Sequence, residues 1–207
     1  MADPFLPAAG TLVLVGDSVT DAGRDRTDPG GLGEGWVRDV AAALATTHPG
    51  LAVRNRGVAG DRAVDLERRW DDDVLAERPV VVSVLVGVND TWRRFDAADP
   101  TSVEDYEATL RRLLERTRLA GVERLVLVEP FALHVPPVTS EWDDELAGRR
   151  AAVARVGASY GAVVVRAQAA FDAAAGDAPE ALLHDGVHPT PAGHALLARS
   201  WLDAVGA

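Results

Sequence analysis

Residues 11–18 read Thr11-Leu-Val-Leu-Val-Gly16-Asp17-Ser18, an aliphatic run that stops at a glycine and continues into two polar residues. Short runs of this kind are typical of strands that are buried on both faces of a parallel sheet. Open α/β sheets bind ligands at the carboxyl ends of their strands, so this pattern predicts Ser18 at a functional edge. Asp and Ser also favour turns and helix caps, and the tripeptide alone indicates either a nucleophile or a turn.

Four more apolar runs predict further strands, and stretches with helical spacing lie between them. With Leu12–Val15, the predicted strands are Ala52–Val53, Val80–Val86, Leu125–Val128 and Ala162–Val165. The helical positions are Trp36, Val37, Val40 and Leu44; Val64, Leu66, Trp70 and Leu75; Tyr106, Leu110, Leu113 and Leu114; Leu146, Val153 and Val156; and a closing helix from about Pro191 to Ala204. The alternation predicts an α/β fold, a three-layer α/β/α sandwich with a five-stranded parallel sheet. The length of 207 residues suits a single domain spanning 1–207.

Composition excludes several classes of protein. The net charge of −11 argues against nucleic acid or an anionic membrane as a partner. The absence of cysteine excludes disulfides and thiolate chemistry, and the absence of lysine excludes a Schiff base and the lysine of a phosphate-binding loop. The amino terminus lacks the pattern of a signal peptide, which predicts a cytoplasmic protein.

Two motifs that can indicate cofactors are weak in this chain. The acidic runs Asp71–Asp73 and Asp143–Glu145 lie in helical stretches and are interpreted as solvated faces, so no metal is predicted. The glycines Gly31, Gly33 and Gly35 do not lie directly between a strand and its helix, as a dinucleotide fingerprint requires. We therefore predict no cofactor.

Polar segments follow the first three predicted strands and precede the last helix. They contain Ser18, Gly60, Asn89 and Asp185-Gly-Val-His188. Acyl transfer through serine needs a nucleophile, a base, a group that orients the base and donors for the oxyanion, and these segments offer a candidate for each. Gly60-Asp61 and Asn89-Asp90 are also typical of simple turns.

Together, Gly16-Asp17-Ser18, Gly60, Asn89 and Asp185-x-x-His188-Pro resemble the four blocks of the SGNH (GDSL-type) hydrolase family, which has a flavodoxin-like fold. The resemblance implies that Ser18 is the nucleophile, that His188 is the general base and then acid, and that Asp185 orients the imidazole. It also implies an oxyanion hole formed by the N–H groups of Ser18 and Gly60 and the side-chain amide of Asn89.

Longer stretches around Trp70, Gly87–Arg93 and His184–His194 resemble the intracellular acetylxylan esterase branch of this family. The resemblance implies a small acyl ester as substrate, namely acetylated xylo-oligosaccharides, and suggests a homo-oligomer. Trp92 is a candidate for substrate binding, because an indole can pack on a sugar, but it could equally belong to the core. The other tryptophans are predicted to pack between elements, and the remaining histidines are placed outside the catalytic set, with His134 in a loop that could reach the cleft.

Two alternatives remain open at this stage. The first is a short-chain esterase, thioesterase or lysophospholipase acting on a substrate other than a carbohydrate, since such enzymes on the same scaffold use the same catalytic residues. The second is a carbohydrate-binding protein without catalytic activity.

Overall fold

The computed structural model of the protein describes residues 4–207, which form five strands and eight α-helices. In chain order these are β1 (Ala9–Gly16), α1 (Ser18–Asp21), α2 (Trp36–Thr47), β2 (Gly50–Gly57), α3 (Ala63–Asp73), β3 (Val81–Leu85), α4 (Val88–Asp96), α5 (Val103–Leu119), β4 (Arg124–Val128), α6 (Asp143–Tyr160), β5 (Val163–Val165), α7 (Ala167–Ala175) and α8 (Pro191–Val205).

The five strands form one parallel sheet in the order β2-β1-β3-β4-β5, which confirms the predicted sheet. β1 lies between β2 and β3. The chain adds β2 on one side of β1 and then adds β3, β4 and β5 on the other side, so the strand order reverses between β1 and β3. In open α/β sheets the two connections that leave such a point run on opposite faces and leave a crevice at the carboxyl ends of the strands. This crevice is where the polar segments after β1 and β3 begin.

Both faces of the sheet are covered by helices, as the apolar runs predicted. Successive residues of a strand point to opposite faces. Leu12 and Leu14 pack in one core cluster with residues of α2, α7 and α8, whereas Val13 and Val15 pack in a second cluster with residues of α3, α5 and α6. The layers are therefore helix, sheet and helix, and the almost continuous apolar sequence of β1 follows from burial on both sides.

The edge strand β2 is longer than its apolar run indicated. The predicted segment was Ala52–Val53, but the strand covers Gly50–Gly57. Ala52 is exposed and Arg54 is only partly buried, because an edge strand is less completely covered than the central ones. The strand contains Arg54, Asn55 and Arg56, so its aliphatic run is shorter than the strand itself. Conversely, Val80, Val86 and Ala162 were predicted within strands and lie just outside them.

Three helices were not predicted, namely α4, α7 and the four-residue α1. α4 was missed because it has only nine residues and its buried first turn contains Asn89, Asp90 and Thr91, so its apolar positions are limited to Val88, Trp92 and Phe95. α7 is rich in alanine and buries only Ala167 and Phe171. Leu75, predicted in the second helical stretch, lies in a 3₁₀ turn after α3 has ended. None of the helices within residues 4–207 has both the length and the apolar character needed to cross a membrane.

Candidate active site

The sequence-predicted site residues gather at the carboxyl edge of the sheet. Ser18 is the first residue of α1, directly after β1, and Asn89 lies in the first turn of α4, after β3. Gly60 lies in the turn between β2 and α3, and Asp185 and His188 lie in the loop that precedes α8. Parallel strands bring these segments to one edge, although Ser18 and His188 are 170 positions apart in the chain.

Ser18, His188 and Asp185 form a continuous chain of hydrogen bonds. The Oγ of Ser18 lies 2.9 Å from Nε2 of His188. The other ring nitrogen, Nδ1, lies 2.7 Å from Oδ2 of Asp185. The second carboxylate oxygen, Oδ1, accepts hydrogen bonds from the backbone N–H groups of Val187 at 3.1 Å and His188 at 2.8 Å. A hydroxyl, an imidazole and a carboxylate in this order are the groups that serine-dependent acyl transfer requires.

The environment of Asp185 defines which ring nitrogen of His188 carries the proton. Partial burial of Asp185 opposes its ionisation, but hydrogen bonds from the backbone and ring of His188 and from Val187 outweigh burial and lower the pKa of this carboxyl. An ionised carboxylate can only accept hydrogen bonds, so the imidazole proton lies on Nδ1. Nε2 of the neutral ring is then free to accept the hydroxyl proton of Ser18.

Gly60 has a backbone conformation that favours glycine. Its φ of +88° lies in the region that L side chains rarely adopt. A Cβ built on Gly60 would meet only one group within 4 Å, Nη2 of Arg93 at 3.8 Å. The space in front of the Gly60 backbone is therefore open. Glycine here leaves room for a substrate to approach the backbone, and the positive φ gives a second reason for glycine.

Asn89 is a buried side chain that retains donor capacity. Its Nδ2 donates a hydrogen bond to the carbonyl of Asp61 at 3.0 Å. An amide nitrogen carries two hydrogens, so one remains for another acceptor. The neighbouring Asp90 accepts a hydrogen bond from the backbone N–H of Ala63 at 3.1 Å through Oδ2. These two bonds join the start of α4 to residues 61–63, which follow Gly60. Asn89 and Asp90 lie in the first turn of a helix and do not form an isolated turn.

Arg149, on α6, bonds to the first turn of α4 and to the segment before α5, and it was not identified from the sequence. Its side chain is completely buried, and Nη2 donates to the carbonyls of Asp90 at 2.9 Å and Thr101 at 2.6 Å. Arginines on amphipathic helices usually face solvent, so nothing in the sequence pattern distinguishes this one. Only the contacts show that it fixes the first turn of α4.

Asn55 is a second polar residue whose position the sequence did not reveal. It is 1% exposed. Its Nδ2 donates to the carbonyls of Thr20 at 2.7 Å and Leu32 at 2.8 Å, and its Oδ1 accepts from the N–H of Gly57 at 2.8 Å. It therefore ties the end of β2 to α1 and to the long loop before α2. Its position five residues before Gly60 is the signal that the sequence offers.

The sequence left open whether Gly16-Asp17-Ser18 contains a nucleophile or a turn or helix cap. Asp17 is a helix cap, and the neighbouring Ser18 is the candidate nucleophile. Oδ1 of Asp17 accepts a hydrogen bond from the N–H of Val19 at 3.0 Å and caps α1, while Ser18 beside it faces His188. Asp17 is 1% exposed, and burial raises its pKa to about 7. Burial also raises the pKa of Asp90 to about 6. Two carboxyl groups next to the site thus resist ionisation.

We expect Asp17→Asn to stabilise the protein increasingly as the pH rises. Because the pKa of Asp17 is raised from 3.8 to about 7 by folding, the folded state binds its proton more tightly than the unfolded state. The stability that this proton contributes is complete at low pH and is lost as the pH approaches 7. The variant cannot titrate, so its advantage in unfolding free energy should grow by at most about 1.4 kcal/mol per pH unit across this window and then level off.

Urea unfolding at a series of pH values measures this difference. Asp25→Asn serves as the control, because hydrogen bonds from Thr27 lower the pKa of this exposed carboxyl, so its substitution should not give a gain that rises with pH. A gain for Asp17→Asn that is independent of pH would contradict the assignment.

Two other histidines, His194 and His134, have contacts outside the hydrogen-bonded relay of Ser18, His188 and Asp185. Nδ1 of His194 accepts the first N–H of α2, from Trp36, at 3.2 Å, and burial lowers the pKa of its imidazole. His134 is exposed and its Nε2 lies 2.8 Å from Oδ1 of Asp143. It borders a cavity of about 420 Å³ whose lining includes neither Ser18 nor His188. His194 therefore has the predicted structural position, and His134 faces a different cavity.

Four tryptophans are buried between elements, as the sequence predicted, and Trp92 lies between the core and the candidate site. Trp36, Trp70, Trp142 and Trp201 are each at most 2% exposed. Trp92 is only partly buried; its ring lies 5.4 Å from that of Trp142 and 5.9 Å from that of His188, measured between centroids. It therefore contacts the core on one side and the hydrogen-bonded relay on the other.

The acidic runs are engaged in ion pairs. Asp71 pairs with Arg116 at 2.6 Å, Asp73 pairs with Arg69 at 2.7 Å, and Asp143 contacts His134. Within residues 4–207 no cluster of three His, Cys, Asp or Glu side chains has the arrangement of a metal site.

Comparison with known proteins places this geometry in a family. Residues 14–196 match the GDSL-like lipase/acylhydrolase family. The chain is 36% identical over 209 residues to an acetylxylan esterase from Geobacillus stearothermophilus, a match that covers 94% of this chain and 93% of that enzyme.

Solved structures agree in fold. The crystal structure of the Geobacillus stearothermophilus acetylxylan esterase superposes with a TM-score of 0.88 at 33% identity and covers 98% of this chain and 97% of that one. A protein from Parabacteroides merdae assigned to the GDSL-like lipases superposes with a TM-score of 0.90 at 33% identity over 95% of both chains. Catalytic mutants of the Geobacillus enzyme replace a serine, an aspartate or a histidine by alanine. This chain belongs to the GDSL-like lipase/acylhydrolase family and is a carboxylic ester hydrolase.

Proposed function

We propose that this protein is a serine esterase that removes acetyl groups from short xylo-oligosaccharides. The observation that carries the proposal is the hydrogen-bonded chain from Ser18 through His188 to Asp185, at the edge of the sheet where Gly60 and Asn89 also lie. The acetyl group and the sugar come from the relationship to the Geobacillus stearothermophilus acetylxylan esterase, which shares more than nine-tenths of its length with this chain.

The first half of the reaction transfers the acetyl group to Ser18. Its Oγ attacks the acetyl carbonyl carbon while Nε2 of His188 takes the hydroxyl proton. The carbonyl π electrons move to oxygen and form an oxyanion. When this intermediate collapses, the bond to the sugar oxygen breaks, and His188 returns its proton to that oxygen. The sugar leaves as an alcohol, and Ser18 carries the acetyl ester.

The second half repeats the same steps with water. His188 takes a proton from water, the hydroxide oxygen attacks the acetyl carbon, and the bond to Oγ of Ser18 breaks. The proton passes from His188 to Oγ, and acetic acid leaves and then loses its proton to water to give acetate. In both halves Asp185 stabilises the imidazolium through the bond from Nδ1, at 2.7 Å.

The oxyanion would be bound by the N–H groups of Ser18 and Gly60 and by the free hydrogen of the Asn89 amide. Three neutral donors stabilise negative charge without adding a group that titrates near neutral pH. The bond from Asn89 to the carbonyl of Asp61 supports this arrangement, because it holds the amide beside the Gly60 segment before any substrate binds.

We expect Asn89→Ala to lower kcat by about 10²- to 10³-fold, which corresponds to about 2.7–4 kcal/mol of transition-state stabilisation. KM should change little, since the bond strengthens only as the oxyanion forms. Steady-state kinetics with p-nitrophenyl acetate measure both constants, and thermal unfolding verifies that the variant is folded. An effect confined to KM would contradict an oxyanion role for Asn89.

Trp92 is the proposed contact for the sugar. Its ring is partly exposed and lies 5.9 Å from the ring of His188, so a sugar whose acetyl group is at Ser18 could pack on the indole.

We also infer that residues 1–207 form one hydrolase domain, an inference supported by the single sheet and by the family match from residue 14 to residue 196.

The substrate is tested by mass spectrometry of acetylated xylo-oligosaccharides incubated with the enzyme, beside p-nitrophenyl esters of increasing acyl length. We expect the sugars to lose acetyl mass and the rates to fall as the acyl chain lengthens. Preference for long acyl chains with no loss of acetyl mass would instead favour a lipid or thioester substrate on the same catalytic residues.

A further inference from the structure

One face of α4 forms a wall of the candidate active site. Asn89, Trp92 and Arg93 occupy positions i, i+3 and i+4 of this helix, a spacing that places side chains on the same face. Asn89 bonds to the segment that follows Gly60, and Trp92 lies beside His188. Arg93 points to the Gly60 end, where Nη2 would lie 3.8 Å from a Cβ on that glycine.

The guanidinium of Arg93 is held on one side and open on the other. Nη1 donates to a carboxylate oxygen of Asp96, one turn along the helix. Within residues 4–207, Nη2 has no hydrogen-bond acceptor, and the Arg93 side chain is 34% exposed. A donor edge that is oriented by an ion pair and faces the open space at Gly60 has the geometry of a ligand contact.

The charges around Arg93 favour a neutral acceptor. Asp96 already compensates the guanidinium charge, and the chain as a whole carries a net charge of −11. A carboxylate ligand would meet this acidic background, whereas a hydroxyl or ether oxygen would not. Sugars present such oxygens next to an acetylated carbon, and simple acetate esters do not.

We propose that Arg93 binds an oxygen atom of the sugar next to the acetyl ester and so determines the preference for acetylated sugars over simple acetate esters. The inference rests on the proposed function, because it takes Ser18 as the attacking group and an acetylated sugar as the substrate. Arg93 contacts the part of the substrate that leaves as the alcohol. It is a specificity residue, distinct from the groups that bind the oxyanion.

The test compares Arg93→Met with the unmodified enzyme on two substrates, acetylated xylo-oligosaccharides and phenyl acetate, with released acetate measured in both cases. The expected kcat/KM for the sugar falls about 10- to 100-fold, mainly through KM, because a charge-assisted hydrogen bond is lost from bound substrate. The value for phenyl acetate, whose alcohol part has no further oxygen, stays within about twofold. Arg93→Lys should recover only part of the loss, since ammonium lacks the planar fork.

Arg94→Met is the matched control. Arg94 is the next residue on α4, but its guanidinium pairs with Glu145 and is 54% exposed. It should retain activity on both substrates. An equal loss for both substrates with Arg93→Met would overturn the inference and assign Arg93 to oxyanion stabilisation, and no loss on the sugar would overturn it outright. If the unmodified enzyme cleaves phenyl acetate but no acetylated sugar, the proposed substrate fails as well.

Discussion

Ser18→Ala is expected to lower kcat for acetate esters by about 10⁴- to 10⁶-fold while leaving the protein folded. The hydroxyl supplies the attacking oxygen, and alanine has no atom that can replace it. What remains would come from the oxyanion donors and from substrate binding, which act on attack by water. Steady-state hydrolysis of p-nitrophenyl acetate measures the loss, and thermal unfolding measures the stability.

The variant should fold because the hydroxyl contributes little to the structure. Oγ of Ser18 contacts Nε2 of His188, whereas α1 is capped by the side chain of Asp17. Ser140→Ala, at an exposed serine far along the chain, is the matched control and should keep full activity. Near-normal turnover by folded Ser18→Ala would end the assignment of Ser18 as nucleophile.

The second large effect is expected for His188→Ala, with a loss in kcat similar to that of Ser18→Ala. Without the imidazole, no group accepts the hydroxyl proton, and the leaving sugar oxygen has no proton donor. Asp185 should keep its place, because the backbone N–H groups of Val187 and His188 still donate to its Oδ1. The same p-nitrophenyl acetate assay measures the loss.

The double variant Ser18→Ala/His188→Ala tests whether the two residues act as one unit. Groups that work together in one step lose their effect together, so the double variant should be no slower than the slower single variant. His48→Ala replaces a partly buried histidine directly after α2, far from the relay in sequence, and should retain activity. Multiplicative losses in the double variant would show that Ser18 and His188 act independently and would contradict a shared proton transfer.

The central part of the fold was predictable because its physical cause is local in the sequence. β1, β3 and β4 are buried on both faces, and such strands need runs of aliphatic residues. The edge strand β2 and helix α4 were underestimated or missed for the opposite reason. β2 has a short aliphatic run because several of its residues are polar and only partly buried, and α4 is a short helix whose first turn buries polar side chains.

The candidate site divides in a similar way. Ser18, His188 and Asp185 could be identified because their chemistry requires particular residue types in short motifs. Arg149 could not, since it is one of 21 arginines in the chain, and Arg93 ends a stretch that resembles the family but was given no role there. Burial of Arg149 and the approach of Arg93 to Gly60 depend on how α4 and α6 pack, which is a property of the whole molecule.

The residues themselves therefore predict the chemistry, and the packing brings the predicted groups together. In a chain without cysteine or lysine, Ser18 after a buried strand and Asp185-x-x-His188 before the last helix predict serine-based ester hydrolysis through their resemblance to a known family. The distance of 2.9 Å between Ser18 and His188 arises only when the parallel sheet brings groups 170 positions apart to one edge, whereas His188 and Asp185, 2.7 Å apart, lie in the same short loop. Proton transfer and oxyanion binding act over hydrogen-bond distances, so sequence can name these groups, but only the tertiary structure can bring them into contact.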